Sequence, residues 1–144
     1  MAILNYTTTV EAVRSAAQIQ EMLMRARCQA LIMDFDDQMR MKAISFQIQT
    51  PHGLLSFHMP ANADGVLKVL RNEKKLAPRY KTIEHANNVA WRIQKDWIEA
   101  QLAKVQSGMA ELAEVFLPYA QQADGKTIYG ALKDRQFPLL GMNS

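Results

Sequence analysis

Hydrophobic and polar positions first repeat with helical spacing. The run Thr8-Thr9-Val10-Glu11 has the spacing of a capping box, which predicts a helix start there. One apolar stripe then follows at Ala12, Ala16, Ile19, Leu23 and Ala26. An amphipathic helix with one face in a core is typical of this spacing.

The pattern then changes to strict alternation, which is typical of half-buried strands. It predicts strands over 30–35, 43–49 and 54–59, separated by turn residues at 36–38 and 51–53. The strands should therefore form an antiparallel meander with one apolar and one polar face. The polar face is expected to carry Ser45, Gln47, Ser56 and His58.

The segment 82–107 predicts one long helix with two apolar stripes. At roughly 100° per residue, the first stripe comprises Trp91, Ile98, Leu102 and Val105, and the second comprises Val89, Ile93, Trp97 and Ala100. A helix that borders a single core shows one stripe. This helix is therefore expected to be covered from two sides, either by another part of the chain or by another copy of it.

The remaining segments complete an α+β fold. Asn62 is predicted to cap a helix over 63–76 that Pro78 terminates, with Val66, Val69 and Leu70 facing inward. Beyond Gly108, shorter helical segments are expected over 112–117 and 127–134. The prediction is a single domain over 1–144, with a three- or four-stranded antiparallel meander packed against helices; the fourth strand would come from 5–7.

Composition places the chain among ordinary globular proteins. It has 144 residues, 49% hydrophobic and 22% charged, which suits one domain. Cys28 is the only cysteine, so an intramolecular disulfide is excluded. No apolar run has the length of a membrane span, and the N-terminus lacks the pattern of a signal peptide, so we expect a cytoplasmic protein that binds no membrane.

Motifs for catalysis or metal binding are missing from the sequence. His52, His58 and His85 are scattered, without the spacing of a zinc site, and 6 glycines leave little material for a phosphate-cradling loop. We therefore predict no metal, no cofactor and no catalytic residue. An enzyme with residues dispersed along the chain stays as an alternative.

Positive charge is concentrated in one place although the net charge is only +3. The residues of this basic segment are Arg71, Lys74, Lys75, Arg79 and Lys81. They form either a solvated helix end, where the helix dipole favours cations, or a contact for phosphate.

Binding chemistry therefore supplies the candidate residues. Some side chains can stack on bases or pair with phosphates. On this criterion the ligand-binding candidates are Arg71, Lys75, Arg79, Tyr80, Arg92 and His58. The first stripe of the long helix, Trp91, Ile98, Leu102 and Val105, is the candidate interface between subunits of a homo-oligomer. In the competing interpretation the tryptophans are core residues, His58 is merely exposed, and Arg92 pairs with Asp96 on the helix surface.

Several stretches resemble a family of small uncharacterised bacteriophage and prophage proteins. They are N-Y-T-T-T-V, T-P-H-G-L-L-S-F-H-M-P-A-N, A-W-R-I-Q-K-D-W-I-E-A-Q-L-A-K and E-V-F-L-P-Y, and the similarity extends to about Tyr129. The resemblance implies a phage origin and the cytoplasm of a bacterial host, and it carries no catalytic residue.

Three functions are compatible with these observations. The first is a non-enzymatic phage protein that counters host defence by sequestering a nucleotide-derived signal or a host defence protein. The second is a nucleic-acid-binding accessory of phage DNA metabolism, which would use the basic segment. The third is the enzyme with dispersed residues, which requires a polar pocket around a perturbed titratable group.

Overall fold

A computed structural model describes residues 2–138 of the chain as five helices around a three-stranded sheet, which confirms the α+β class. The helices are α1 (Ala12–Arg25), α2 (Ala63–Asn72), α3 (Ile83–Gln106), α4 (Leu112–Phe116) and α5 (Ile128–Asp134). The strands are β1 (Cys28–Phe35), β2 (Met41–Thr50) and β3 (Gly53–Pro60). Short 3₁₀ turns lie at Pro78–Tyr80 and Leu117–Tyr119.

The sheet is the predicted antiparallel meander, in the order β1-β2-β3. Its inner face is apolar and buried: Ile44, Phe46, Ile48, Phe57 and Met59. The predicted fourth strand over 5–7 is wrong, because this segment is a turn in which Asn5 adopts a positive φ of 65°. The sheet described for residues 2–138 therefore has three strands.

Helix α1 buries the predicted stripe but begins later than the capping-box spacing indicated. Its N-cap is Glu11, and the Thr8 hydroxyl instead accepts a hydrogen bond from the Val10 amide at 3.1 Å. The first amide of the helix, that of Ala12, donates to Asn88 Oδ1 at 2.9 Å. A side chain of α3 therefore satisfies a group that the local sequence leaves without a partner.

Helix α3 passes between two apolar clusters, and its first stripe belongs to the larger one. Trp91 and Ile98 are 0% exposed among residues of the sheet, α1 and α4. The Trp91 indole also donates to the Met41 carbonyl oxygen at 3.0 Å, which satisfies its buried polar atom. This hydrogen bond and the surrounding contacts fix α3 against β2.

Other parts of the same chain cover the second stripe as far as Trp97. Val89, with Ala86 and Ala90, packs against Val66, Leu67 and Leu70 of α2. Further along the helix, the Trp97 ring meets the rings of Phe116 and Tyr119 at centroid distances of 5.8 and 5.6 Å. Ala100 is exposed. The expectation of cover from two sides is confirmed, and both covers are intramolecular.

This arrangement corrects the predicted subunit interface. Trp91 and Ile98 are wrong as interface residues, because the core of a single chain already encloses them completely. Leu102 and Val105 are partly buried and line a groove with Met22 and Leu112. For these two residues the interface stays a prediction.

The remaining helices largely follow the sequence pattern. Asn62 caps α2 by accepting from the Gly65 amide at 2.9 Å, but α2 ends at Asn72, before Pro78. Its third inward residue is Leu67, while Val69 is 47% exposed. Among the helices of residues 2–138, none combines the length and the hydropathy that a bilayer crossing requires.

We expect Ile98→Ala to lower the free energy of unfolding by about 2–5 kcal/mol, because it leaves a cavity in the main core. Val69→Ala, at an exposed position of α2, should change it by no more than about 0.5 kcal/mol. Chemical denaturation of both variants at two protein concentrations measures the effect. A loss for Ile98→Ala that appears only at high concentration, where an oligomer would form, and vanishes on dilution would place Ile98 in an interface after all.

Candidate functional site

The sheet turns a polar face away from the helices. We call Ser45, Gln47, Ser56 and His58 the outer sheet face. Neighbouring strands place these residues in register, so that Ser45 Oγ and His58 Nδ1 are hydrogen-bonded at 2.7 Å. Gln47 Nε2 donates to Ser56 Oγ at 3.1 Å. The predicted polar face is therefore present, and its side chains are held in cross-strand pairs.

A later segment of the chain covers the edge of β3 that does not pair with β2. The Gln121 amide donates to the Ser56 carbonyl oxygen at 2.8 Å, and Phe57 and Ala120 form an isolated bridge. The Ile128 amide then donates to the Ala120 carbonyl oxygen at 2.7 Å. These bonds bring the 3₁₀ turn before Ala120 and the start of α5 to the same side of the sheet as His58.

A cleft of about 540 Å³ lies between this segment and the outer sheet face. We call it the tyrosine cleft; its lining residues are His58, Pro60, Pro118, Tyr119, Thr127 and Tyr129. Among the residues that the structure describes, no lysine, arginine, aspartate or glutamate lines it. A smaller depression of about 210 Å³ on the same face is lined in part by Ser45, Gln47 and Gln121.

An ion pair ties the wall of the cleft to α5. Lys126 Nζ donates to Asp134 Oδ2 at 2.8 Å, across the loop that ends at Thr127. This hydrogen bond raises the pKa of Lys126 and lowers the pKa of Asp134, and the opposite charges add to both shifts. Thr127 also caps α5 by accepting from the Gly130 amide at 3.0 Å.

The basic segment lies elsewhere, around the end of α2 and the 3₁₀ turn before α3. In the part of the chain that the structure describes, none of its five cations forms an ion pair with a carboxylate. The Arg79 guanidinium lies 4.6 Å from the centre of the Tyr80 ring and donates to the Tyr80 hydroxyl at 3.0 Å. The Tyr80 ring also meets Tyr6 edge-on at 5.9 Å.

Arg92 serves the contact between helices. Its guanidinium donates to Gln18 Oε1 of α1 at 2.6 Å, and Asp96 instead accepts from Asn5 at 2.9 Å. The alternative pairing of Arg92 with Asp96 is therefore wrong.

The six predicted ligand-binding residues consequently do not form one site. His58 lies on the outer sheet face, Arg92 lies between α1 and α3, and Arg71, Lys75, Arg79 and Tyr80 lie near α2, which packs on the far side of α3. A site that combines all three groups is ruled out by this placement. His58 is the predicted residue that borders the tyrosine cleft.

Sequence patterns did not predict Tyr119, Tyr129 or Gln121 as site residues. Their position depends on the pairing of residues 120–121 with β3, which leaves no periodicity in the sequence. The sequence pattern predicted a helical segment over 127–134, where the structure has α5 (Ile128–Asp134). It does not indicate what α5 packs against.

Ser45 and His58 are residue types that can serve as a nucleophile and a base. A serine–histidine pair acts as nucleophile and base when a third group orients the imidazole. Among the described hydrogen bonds, none joins the His58 ring to a carboxylate. Residues 2–138 also bring no three His, Cys, Asp or Glu side chains together as metal ligands. What the site offers is uncharged donors and acceptors beside two aromatic rings.

We expect Asp134→Asn to lower stability at neutral pH and to have no effect in acid. A carboxylate with a lowered pKa stabilises the fold above its unfolded-state pKa, and this stability is lost as the pH falls through the folded-state pKa. Lys126 has a raised pKa, so its contribution to stability is lost as the pH rises through its folded-state pKa. Free energies of unfolding measured against pH test this. A difference between wild type and variant that persists at acid pH would contradict it.

Comparison with known proteins adds no functional residue to this geometry. The chain matches no protein-family model, no curated protein and no solved structure. Functional inference therefore depends on the contacts, volumes and charges described above.

Proposed function

We propose that this protein is a non-enzymatic phage protein that counters host defence by sequestering a nucleotide-derived signal at the tyrosine cleft. The observation that carries the proposal is the meeting of this cleft with the hydrogen-bonding outer sheet face at His58. Of the two targets considered, a nucleotide signal or a host defence protein, the concave shape of the cleft favours the signal.

The size and lining of the cleft support a flat heterocyclic ligand. Its volume of about 540 Å³ falls within the range of small-molecule sites, which are concave and carry a few placed polar groups. Tyr129 is 51% exposed, so its ring is accessible for stacking. Stacking of a base on an aromatic side chain contributes about 1–3 kcal/mol.

The polar neighbours supply hydrogen bonds of both kinds. Gln47 and Gln121 each carry amide donors and an acceptor, and Ser45 and His58 add groups that donate or accept according to the tautomer. Nucleobase edges present the same mixture of groups. Because no lysine or arginine of residues 2–138 lines the cleft, the nucleobase is the part of the ligand that should enter, with the phosphates directed toward solvent.

Thermal unfolding with a panel of linear and cyclic nucleotides and the corresponding nucleosides tests the proposal. We expect at least one nucleotide to raise the midpoint, and its nucleoside to retain part of the effect. Stabilisation by none of them would exclude a nucleotide ligand and leave a host defence protein as the target.

Two substitutions test the location. Tyr129→Ala should weaken binding about 5- to 150-fold, the factor that corresponds to a lost stacking contact. Arg79→Ala, in the basic segment, is the matched control and should leave affinity within a factor of two or so. Isothermal titration calorimetry measures both. The reverse pattern would move the site to the basic segment.

The second candidate function, a nucleic-acid accessory, is favoured by the five cations of the basic segment, which form no ion pair with any carboxylate of residues 2–138. Such cations bind a phosphate backbone by releasing counterions. Affinity for DNA should then fall steeply with salt, and Lys75→Ala should reduce the slope of log K against log salt by about 0.7–0.9. His58→Ala is the control. Absence of a shift with single- and double-stranded DNA at low salt would exclude this function.

A further inference from the structure

We propose that the free edge of β1 is an interface on which a second copy of this chain pairs, antiparallel and with Ile32 on the two-fold axis. The two edges of the sheet differ. Gln121 covers the edge of β3, whereas no backbone hydrogen bond of residues 2–138 is made on the outer side of β1. An uncovered edge offers a row of unpaired amides and carbonyls to another strand.

The strand register identifies which backbone groups are free. Thr50 and Gly53 flank the two-residue turn between β2 and β3, so they form a hydrogen-bonded pair, and even-numbered residues of β2 bond to β3. The bond from the Ala61 amide to the Lys42 carbonyl oxygen, 2.8 Å, continues this series. Odd-numbered residues of β2 therefore bond to β1.

Their partners on β1 are Ala30, Ile32 and Asp34. The residues between them, Leu31 and Met33, consequently direct their amides and carbonyls outward. Bulges at Cys28/Ala30 and at Asp34/Phe35 bound this regular stretch on both sides. Ile32 is its midpoint.

Pairing of this stretch with its own copy is self-complementary. With Ile32 opposite the partner's Ile32, Leu31 lies opposite the partner's Met33, so the free groups meet in two hydrogen-bonded pairs. Ile32, 61% exposed in one chain, would be covered on the axis. Asp34 lies opposite the partner's Ala30, so like charges do not face each other. The strand C-Q-A-L-I-M-D-F contains no proline, lysine or arginine, the residues that usually block such edges.

Helix α1 presents a second self-complementary surface beside this edge. One flank of α1 faces α3 through Gln18 and Met22. At roughly 100° per residue the opposite flank is uncharged and consists of Val13, Ala17, Gln20 and Met24. Val13 is 69% exposed and Met24 is 63% exposed. Large apolar side chains aligned on a free flank indicate a protein contact.

The two surfaces share one symmetry axis. α1 runs antiparallel to β1, because a short turn joins α1 to Cys28 while Val13 lies near Phe35 at the other end. Ile32 is about 13 Å along the strand from Cys28. In a helix about nine residues span this distance, so the matching position on α1 lies about nine residues before its C-terminal end. An axis through Ile32 therefore passes near Ala17, whose small side chain allows the two α1 helices to approach. A single bound peptide strand would leave this flank uncovered, which is why we infer a second copy.

Sedimentation equilibrium tests the dimer. The wild-type protein should approach twice its chain mass of 16.3 kDa as concentration rises. Ile32→Lys places two ammonium groups on the axis and should restore the single-chain mass. Leu54→Lys is the matched control, because Leu54 is 48% exposed and lies on β3, away from the edge of β1. Ala17→Glu, at an exposed position of α1, should act like Ile32→Lys without touching the sheet.

Amide hydrogen exchange provides the second readout and confirms that the variants are folded. The amides of Leu31 and Met33 should be protected in the wild type and exchange quickly in Ile32→Lys, whereas those of Ala30 and Asp34 stay protected in both. A wild type that is monomeric at every concentration overturns the proposal. So does a dimer in which Leu31 and Met33 exchange quickly, because that dimer would form elsewhere.

Discussion

The fold depends on the enclosure of α3 between two apolar clusters of one chain. One cluster joins its Trp91 flank to the sheet, α1 and α4, and the other joins its Val89 flank to α2. The buried indole of Trp91 bonds to the backbone of β2, so the helix cannot slide along the sheet without leaving a buried donor unpaired. Helices α1, α2 and α4 all contact this helix.

This arrangement leaves the outer sheet face available. Since α1 and α3 pack on the inner face, polar residues on the other side of the same strands are paired with each other across the strands. The segment around Ala120 covers the edge of β3 and places Tyr119 and Tyr129 beside His58. The cleft is thus a consequence of covering one edge of the sheet, while the other edge stays open.

Sequence reasoning succeeded where the structure is determined by neighbours along the chain. Alternation in β2 and β3 predicted the strands and their faces, and the predicted cap at Asn62 is a hydrogen bond across three residues. Two stripes on α3 showed that it is covered twice, because periodicity records burial.

Periodicity does not record the identity of the partner. The cap of α1 comes from Asn88, 76 residues away, and the partner of Arg92 is 74 residues away. Trp91 and Ile98 were accordingly assigned to an interface when they belong to the core. The tyrosine cleft was invisible for the same reason, since its walls come from β3, a 3₁₀ turn and α5.

The most direct test of the central claim is native-state hydrogen exchange of α3 in dilute protein. If one chain covers both flanks, the amides of Val89 and Ile98 both exchange only through global unfolding, with the same free energy, even where any dimer has dissociated. Exchange at one of these residues that becomes much faster than global unfolding on dilution would show that a second molecule covers that flank.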